Sequence, residues 1–313
     1  MPERSATPVL RIARHPMRDE GNEDAALIYH RPTTLADALG MFSAASGAAV
    51  PYAGGTDLWP RWSRGLAAAP ETIVDLKHVE GLIGVSRSNG LVRIGACTTM
   101  SDVSTSSDVL AAAPVLGLAA GRIACPQVRN RATIGGNLCN ASPAADTAIP
   151  LILLDAVVEL ASIGRGKAVS TREVPIAEFF TGPGSTVMAP GELLTCVRFK
   201  PIPEHGFAVW DKFGTRPAME IAVASVGVAL ALDDGAITRA RVAYGSVAPV
   251  PLRGSGAEAA LVGQPLIESV IAKAEDAARA EVSPITDVRA SEGYRRDMVG
   301  VMLRRMLRRA ERS

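Results

Sequence analysis

The sequence contains no closely spaced cysteine pair, which removes the usual signature of a metal or iron–sulfur site on this chain. Its four cysteines, Cys97, Cys125, Cys139 and Cys196, stand 28, 14 and 57 positions apart. Isolated thiols of this kind usually behave as small buried hydrophobes. An excess of one charge is also missing. The formal net charge is +1, so nothing electrostatic calls for a nucleic-acid partner. No apolar run approaches the roughly 18 residues of a membrane span. Residues 1–25, "MPERSATPVLRIARHPMRDEGNEDA", have neither the apolar core of a secretion signal nor twin arginines, and they read as a mobile arm. A cytoplasmic protein is therefore expected. The histidines His15, His30, His78 and His205 are scattered, and none sits in a nucleophile-elbow or H-E-x-x-H setting, so nucleophilic catalysis finds little support.

What the sequence does have is apolar material. Apolar residues make up 48% and charged residues 21% of a chain whose length, 313 residues, suits two or three domains. "IYHRPTTLADALGMFSAA" reads as an extended segment followed by a helix, with Thr33 or Thr34 as cap and Leu35, Ala38, Leu39 and Phe42 as apolar stripe. "AAVPYAGGTDLWPRW" reads as a strand running into a glycine turn. "TIVDL" and "LVRIGACTTM" are further strands. Short helices and strands alternate up to about Thr181, which fits a mixed α/β or α+β layer. "TGPGSTVMAPGE" has the composition of a linker. After it, "LLTCVRF", "FAVWDKFG", "AVASVGVALAL" and "AITRARVAYGSV" look like strands, with a hairpin turn at Asp233-Asp234-Gly235. Helices follow near 266–281 and 292–310.

Two glycine pairs follow apparent strands: Gly54-Gly55 in "PYAGGTDL" and Gly135-Gly136 in "ATIGGN". Glycine permits positive φ and close backbone approach, so successive amides can face one anion. Thr56 and Thr133 add hydroxyls and Asn137 an amide. Converging loops of this kind could hold a pyrophosphate without a lysine, although neither matches G-x-G-x-x-G or the Gly-Lys-Ser/Thr phosphate loop. An ordinary turn is the competing reading of each. Asp146 lies just after Ser142-Pro143, so the residues alone favour Ser142 as a helix cap and Asp146 as a first-turn acid. In "YRRDMVGVMLRRMLRR", Met298, Met302 and Met306 recur at helical spacing beside Val299, Leu303 and Leu307. Core packing with a solvated basic face is the favoured reading, and docking on an acidic partner is the other.

Seven stretches in register, "RPTTLADAL", "AGGTDLWP", "RIGACTTM", "ATIGGNLCNASPAADTAIPLILLDA", "GELLTCVRF", "DKFGTRPAMEIAVASVGVAL" and "YRRDMVGVMLRRML", cover roughly residues 28–309. Together they resemble the FAD-binding medium subunit of the molybdenum hydroxylases, the family of xanthine, aldehyde and carbon monoxide dehydrogenases and hydroxybenzoyl-CoA reductase. "GGTDL" is similar to the last of these branches. The absence of a cysteine-rich insertion after "TIGGN" is similar to the others.

The resemblance implies an α+β fold. A two-lobed FAD-binding domain of vanillyl-alcohol-oxidase (PCMH) type would span 26–182, and a small α+β domain with an antiparallel sheet would span 190–313. It further implies that Ala53, Gly54, Gly55, Thr56, Asp57 and Leu58, with Thr133, Ile134, Gly135, Gly136 and Asn137, hold the FAD pyrophosphate through backbone amides. Asp146 and Lys212 would lie on the flavin side, Leu194 against the isoalloxazine and Ile123 at a further contact. This reading of Asp146 replaces the cap. The implied partners are a large molybdenum-cofactor subunit and a small subunit with two 2Fe–2S clusters, in a heterotrimer or a dimer of heterotrimers. No catalytic residue or metal ligand is expected on this chain, whose FAD would relay electrons to an acceptor. A self-sufficient flavin oxidase on the same scaffold is the alternative.

Overall fold

The computed structural model describes residues 9–12, 27–44, 49–164, 166, 168–204, 206–216 and 218–311. The first lobe is a four-stranded sheet ordered Val9–Ile12, Leu27–His30, Thr72–Asp75, Ala49–Tyr52. Its last two neighbour pairs run parallel and its first antiparallel. Helix Leu35–Ala44 covers it with Ala38, Leu39 and Phe42, as the apolar stripe predicts. Thr34 caps the helix by accepting a bond from the Asp37 amide at 3.1 Å. Residues 9–12 correct part of the expected N-terminal arm: they form a sheet strand, because pairing with Leu27–His30 satisfies their backbone groups. The rest of that arm, with His15, lies outside the described residues, as does His205.

The second lobe is a five-stranded antiparallel sheet ordered Val85–Ser88, Leu91–Gly95, Leu193–Phe199, Val157–Ile163, Val169–Pro175. Of six short helices between Met100 and Leu153, Ser107–Ala112 and Ile134–Cys139 pack on it, while Ala148–Leu153 packs on the C-terminal sheet. The central place of Leu193–Phe199 corrects the expected boundary at residue 190. "LLTCVRF" is buried on both faces, and only a central strand buries both. The expected linker also folds back on this lobe. Ser185–Thr186 pairs with Phe180–Gly182, and Arg172 bonds Glu192 at 2.7 Å and the Val187 carbonyl at 2.9 Å. The chain leaves the lobe only after Phe199.

The α+β class and the C-terminal antiparallel sheet are as expected. Phe207–Phe213, Ala224–Asp233, Ala236–Gly245 and Leu252–Arg253 pair in sequence order. Asp234 and Gly235 turn the central hairpin at φ of 46° and 78°. Helices Ser255–Leu261, Glu268–Glu281 and Glu292–Ala310 bury Leu261, Ile271, Leu303 and Leu307 against Val226, Val228 and Leu230. The first of these helices escapes a sequence reading, being short and without a capping side chain.

Arg295, on the last helix, is buried. It donates to the carbonyls of Val223 and Ser246 and pairs with Asp287 at 2.6 Å. The Arg289 amide and then the Arg295 guanidinium hold the Asp287 carboxyl below the usual carboxylate range. A depressed carboxylate contributes stability above its unfolded value, near 3.9, and loses it as pH falls through the folded value. Asp287→Asn should therefore lower the unfolding free energy at neutral pH by about 1–2 kcal/mol. In urea titrations the gap to the parent should narrow as the pH drops below about 4.

Candidate functional site

The first glycine loop leaves strand Ala49–Tyr52 and enters helix Leu58–Ser63. A β-carbon on Gly54 would stand 2.2 Å from the Arg131 carbonyl oxygen and 2.9 Å from the Ala132 Cα. One on Gly55, at φ +71°, would meet the Tyr52 ring at 2.4 Å. Both positions thus require glycine, and Gly54 brings this loop against the residues just before Thr133. The two glycine segments converge. Among the described residues, the amides of Gly54, Gly55, Thr56 and Asp57 have no protein acceptor, and the Asp57 side chain does not cap the helix. A run of unspent N–H groups is the chemistry of an anion-binding nest.

A cluster around the buried Asp75 braces this loop from behind. Lys77 Nζ bonds Asp75 at 2.6 Å, approaches the Ala53 carbonyl at 3.4 Å and lies 4.3 Å from the Tyr52 ring centroid. The Tyr29 hydroxyl donates to Asp75 at 2.5 Å. Burial pushes the Asp75 carboxyl up, but the hydrogen bonds from Lys77 and Tyr29 outweigh it and leave the group below its ordinary value. Burial, then the Asp75 carboxylate, pushes the Tyr29 hydroxyl well up. The sequence reading passes over this cluster, whose only local sign is an aspartate two residues before a lysine at a strand end.

The second glycine segment is not a turn. It opens helix Ile134–Cys139, and Thr133 caps that helix by accepting from the Gly136 amide at 3.1 Å. The Ile134 amide donates to Thr98 and the Gly135 amide to Ala96, at 3.0 and 2.8 Å, while Asn137 donates to the Thr133 carbonyl. The amides from 134 to 137 are therefore spent within the protein, and those at 54–57 remain. A β-carbon on Gly135 would strike Ala96 at 2.7 Å, whereas one on Gly136 would meet only Thr133 Oγ1, at 3.0 Å. Asn137 Oδ1 accepts from the Thr147 hydroxyl at 2.6 Å, tying this helix to the segment that carries Asp146.

Asp146 precedes the next helix, Ala148–Leu153, whose cap position is Thr147. Ser142 accepts from the nearby Ala144 amide instead, so neither residue acts as the residues alone suggest. Asp146 Oδ2 lies 2.6 Å from Lys212 Nζ, which also donates to the Arg122 carbonyl at 3.1 Å. Both residues are 8% exposed. Burial pushes the Asp146 carboxyl above its ordinary value, with Lys212 the main opposing influence. Ile123 follows Arg122, and Arg129 fixes its carbonyl at 2.9 Å. Ile123, Asp146 and Lys212 thus come together from three separate segments.

Leu194 stands at the bulge of the central strand with its side chain in the main core. Its neighbour Thr195 accepts from the Ala96 amide, so a short backbone relay joins it to Gly135. Cys97 and Cys196 are buried as expected, but Cys125 is half-buried and Cys139 is exposed, with its Sγ 3.7 Å from Met188 Sδ. Helix Ile134–Cys139 turns that side chain outward while burying Ile134 and Leu138.

Residues 22–202 match the family described as the FAD binding domain in molybdopterin dehydrogenase, and 212–310 match the CO dehydrogenase flavoprotein C-terminal domain. The chain belongs to this FAD-binding family. It is 34% identical to a xanthine dehydrogenase FAD-binding subunit of Escherichia coli O157:H7, over 90% of this chain and 95% of that one. It is 35% identical to the carbon monoxide dehydrogenase medium chain of Afipia carboxidovorans, over 90% and 96%. Among solved structures, reconstituted CO dehydrogenase from Oligotropha carboxidovorans superposes with a TM-score of 0.85 at 34% identity, covering 90% of this chain and 96% of its counterpart. The family is one of oxidoreductase subunits. The site residues of this FAD-binding chain suit the cofactor, because the cradle at Gly54–Asp57 combines unspent amides with positions that a β-carbon would fill.

The two adjacent glycines of the second segment should therefore respond differently. Gly135→Ala forces a β-carbon into Ala96 and should destabilise the protein by about 1–3 kcal/mol. Gly136→Val meets mostly open space, so its stability should stay within about 1 kcal/mol of the parent while FAD binding weakens roughly five- to hundredfold. Melting curves and FAD titrations of both variants check this. Equal affinity in parent and Gly136→Val would make the segment purely structural.

Proposed function

We propose that this chain is the electron-transfer subunit of a molybdenum-cofactor-dependent hydroxylase or dehydrogenase. It receives electrons on its FAD from the 2Fe–2S clusters of a small partner and passes them to an acceptor, while a large molybdenum-cofactor subunit oxidises the substrate. The run of unspent amides at Gly54–Asp57, packed against the Arg131–Ala132 backbone of the second lobe, carries this reading, because four free donors in succession suit a dianionic bridge. The relatives named as dehydrogenase medium chains and FAD-binding subunits support it.

In this reading the amides of Gly54, Gly55, Thr56 and Asp57 hold the pyrophosphate, aided by the hydroxyls of Thr56 and Thr133. Ala53 and Leu58 frame the loop. Gly135 permits the close packing that sets Thr133, and Gly136 keeps its face open. Asn137 fixes the approach of the Asp146 segment. Lys212 and Asp146 set the electrostatics on the flavin side, with Ile123 and Leu194 as apolar support. The bound cofactor supplies the redox chemistry, and the protein supplies position and field. The complex is a heterotrimer or a dimer of heterotrimers in the cytoplasm. Among the described residues, no helix is long and apolar enough to cross a membrane.

Gently isolated native protein should be yellow, with about one FAD per chain, and the isolated chain should not turn over the substrate that the full complex oxidises. Substrate-dependent flavin reduction by the chain alone would favour the self-sufficient oxidase. The buried ion pair makes a second, signed prediction. A cation beside the flavin favours the electron-rich reduced form, and a carboxylate opposes it. Lys212→Met should lower the flavin potential in a redox titration and Asp146→Asn should raise it. Shifts of the same sign in both would remove the pair from the flavin's field.

A further inference from the structure

The C-terminal helix carries two sets of arginines with different fates. On one side, Arg304 pairs with Glu268 and Glu275, and Arg308 with Glu268, all within the Glu268–Glu281 helix. On the other, Arg305 and Arg309 are exposed and have no acidic partner among the described residues. These two border a groove of about 410 Å³ between helix Pro114–Gly121, strand Phe207–Phe213 and the C-terminal helix. Met298, Met302 and Met306 line it, and Lys212 lies in its wall. The one acid lining it, Asp211, is taken at 2.5 Å by Arg122, which also lies 5.3 Å from the Trp210 ring.

Exposed apolar side chains surround these cations. Leu118 and Phe213 line the groove, 48% and 36% exposed. Tyr294 is 46% exposed and touches Phe213 at 6.0 Å between ring centroids. Phe207–Phe213 is an edge strand of its sheet. A second cleft of about 420 Å³ has its arginines spent, since Glu173 and Asp155 engage Arg198, Arg239 and Arg241, and among the described residues Lys200 is the one lining cation with no acidic partner. Polarizable methionines beside aromatic and aliphatic surface, rimmed by unspent arginines, have the composition of a protein-binding patch.

We infer that this groove docks the acidic surface of the partner subunit that exchanges electrons with the flavin. The inference rests on the proposed electron-transfer function and adds its location. Charge complementarity fixes the occupant's sign, because the described residues provide acids for Arg304 and Arg308 and none for Arg305 and Arg309. Continuity fixes its role, because the groove shares Lys212 with the flavin-side ion pair and brings the partner up to it.

The test uses the native complex, isolated from its source through a tag on this chain, and the FAD-loaded chain dissociated from it. Hydrogen exchange at residues 207–213 and 298–309 should be slower in the complex than in the free chain. The double variant Arg305→Glu/Arg309→Glu should keep its FAD and melting temperature but rebind the partner subunits on the order of tenfold more slowly, with a weaker salt dependence. Lys273→Glu, a single charge reversal on the neighbouring helix, should rebind normally, and Arg305→Glu alone, of equal charge change, should already slow rebinding. If the complex forms and carries FAD while the groove exchanges as in the free chain, or if the double variant rebinds at the parent rate, the docking inference falls and the proposed function stands. Protection of the groove by NAD⁺ alone, without a partner subunit, would likewise overturn it in favour of a small anionic acceptor. A chain that carries no FAD and joins no complex would sink both.

Discussion

The approach of Gly54 to the Arg131–Ala132 peptide joins the two lobes. It is closer than any side chain allows, since the missing β-carbon would overlap the Arg131 carbonyl. The consequence reaches beyond packing. It sets a loop with four unspent amides against the Arg131–Ala132 backbone of another lobe. Lys77, held by Asp75 and stacked on Tyr52, keeps the first loop in place from the protein side. On the other side, bonds from Ile134 and Gly135 to Thr98 and Ala96 pin the second segment to the sheet. The division of labour follows: one segment has unspent donors, and the other is a rigid wall whose threonine hydroxyl caps its own helix.

The buried pair of Lys212 and Asp146 does for the C-terminal half what Gly54 does for the lobes. Asp146 comes from the helical layer and Lys212 from the last sheet, 66 positions away. Burying two charges is expensive, and their mutual attraction compensates only when geometry and further hydrogen bonds are good. Here the lysine has the Arg122 carbonyl as a second acceptor. A hydrophobic pair of equal volume would join the halves with less desolvation. The retention of charge is intelligible if the field of the pair acts on a cofactor, where opposite charges at a fixed site adjust the ease of reduction.

Local chemistry was legible in the sequence and long-range pairing was not. The helix from Leu35, its Thr34 cap and the Asp234-Gly235 hairpin each depend on residues within a few positions, and each can be read directly. The two glycine pairs were visible as places where backbone needs room, but a threonine before two glycines is equally a turn or a helix cap, and the structure chooses the cap. Leu193–Phe199 has no local mark of its destination. Its uniformly apolar run says that both faces are buried, and only the sheet order says in which sheet. Tyr29 and Asp75 lie 46 positions apart, so the brace behind the first loop is invisible until the chain folds. The pairing of Asp146 with Lys212 was equally remote. Family resemblance placed both residues near the flavin, whereas spacing and composition had favoured a mundane cap.

The central claim is that FAD is held by the unspent amides of the first loop and not by the internally bonded amides of the second. Glycine-selective ¹⁵N labelling places a reporter at Gly54 and Gly55 on one side and Gly135 on the other, and FAD can be titrated into the apoprotein while their amide resonances are followed. The account predicts large downfield shifts and slowed solvent exchange at Gly54 and Gly55, with Gly135 little changed because its N–H already bonds Ala96. Saturating FAD that leaves Gly54 and Gly55 unmoved, or that shifts Gly135 most, would contradict it.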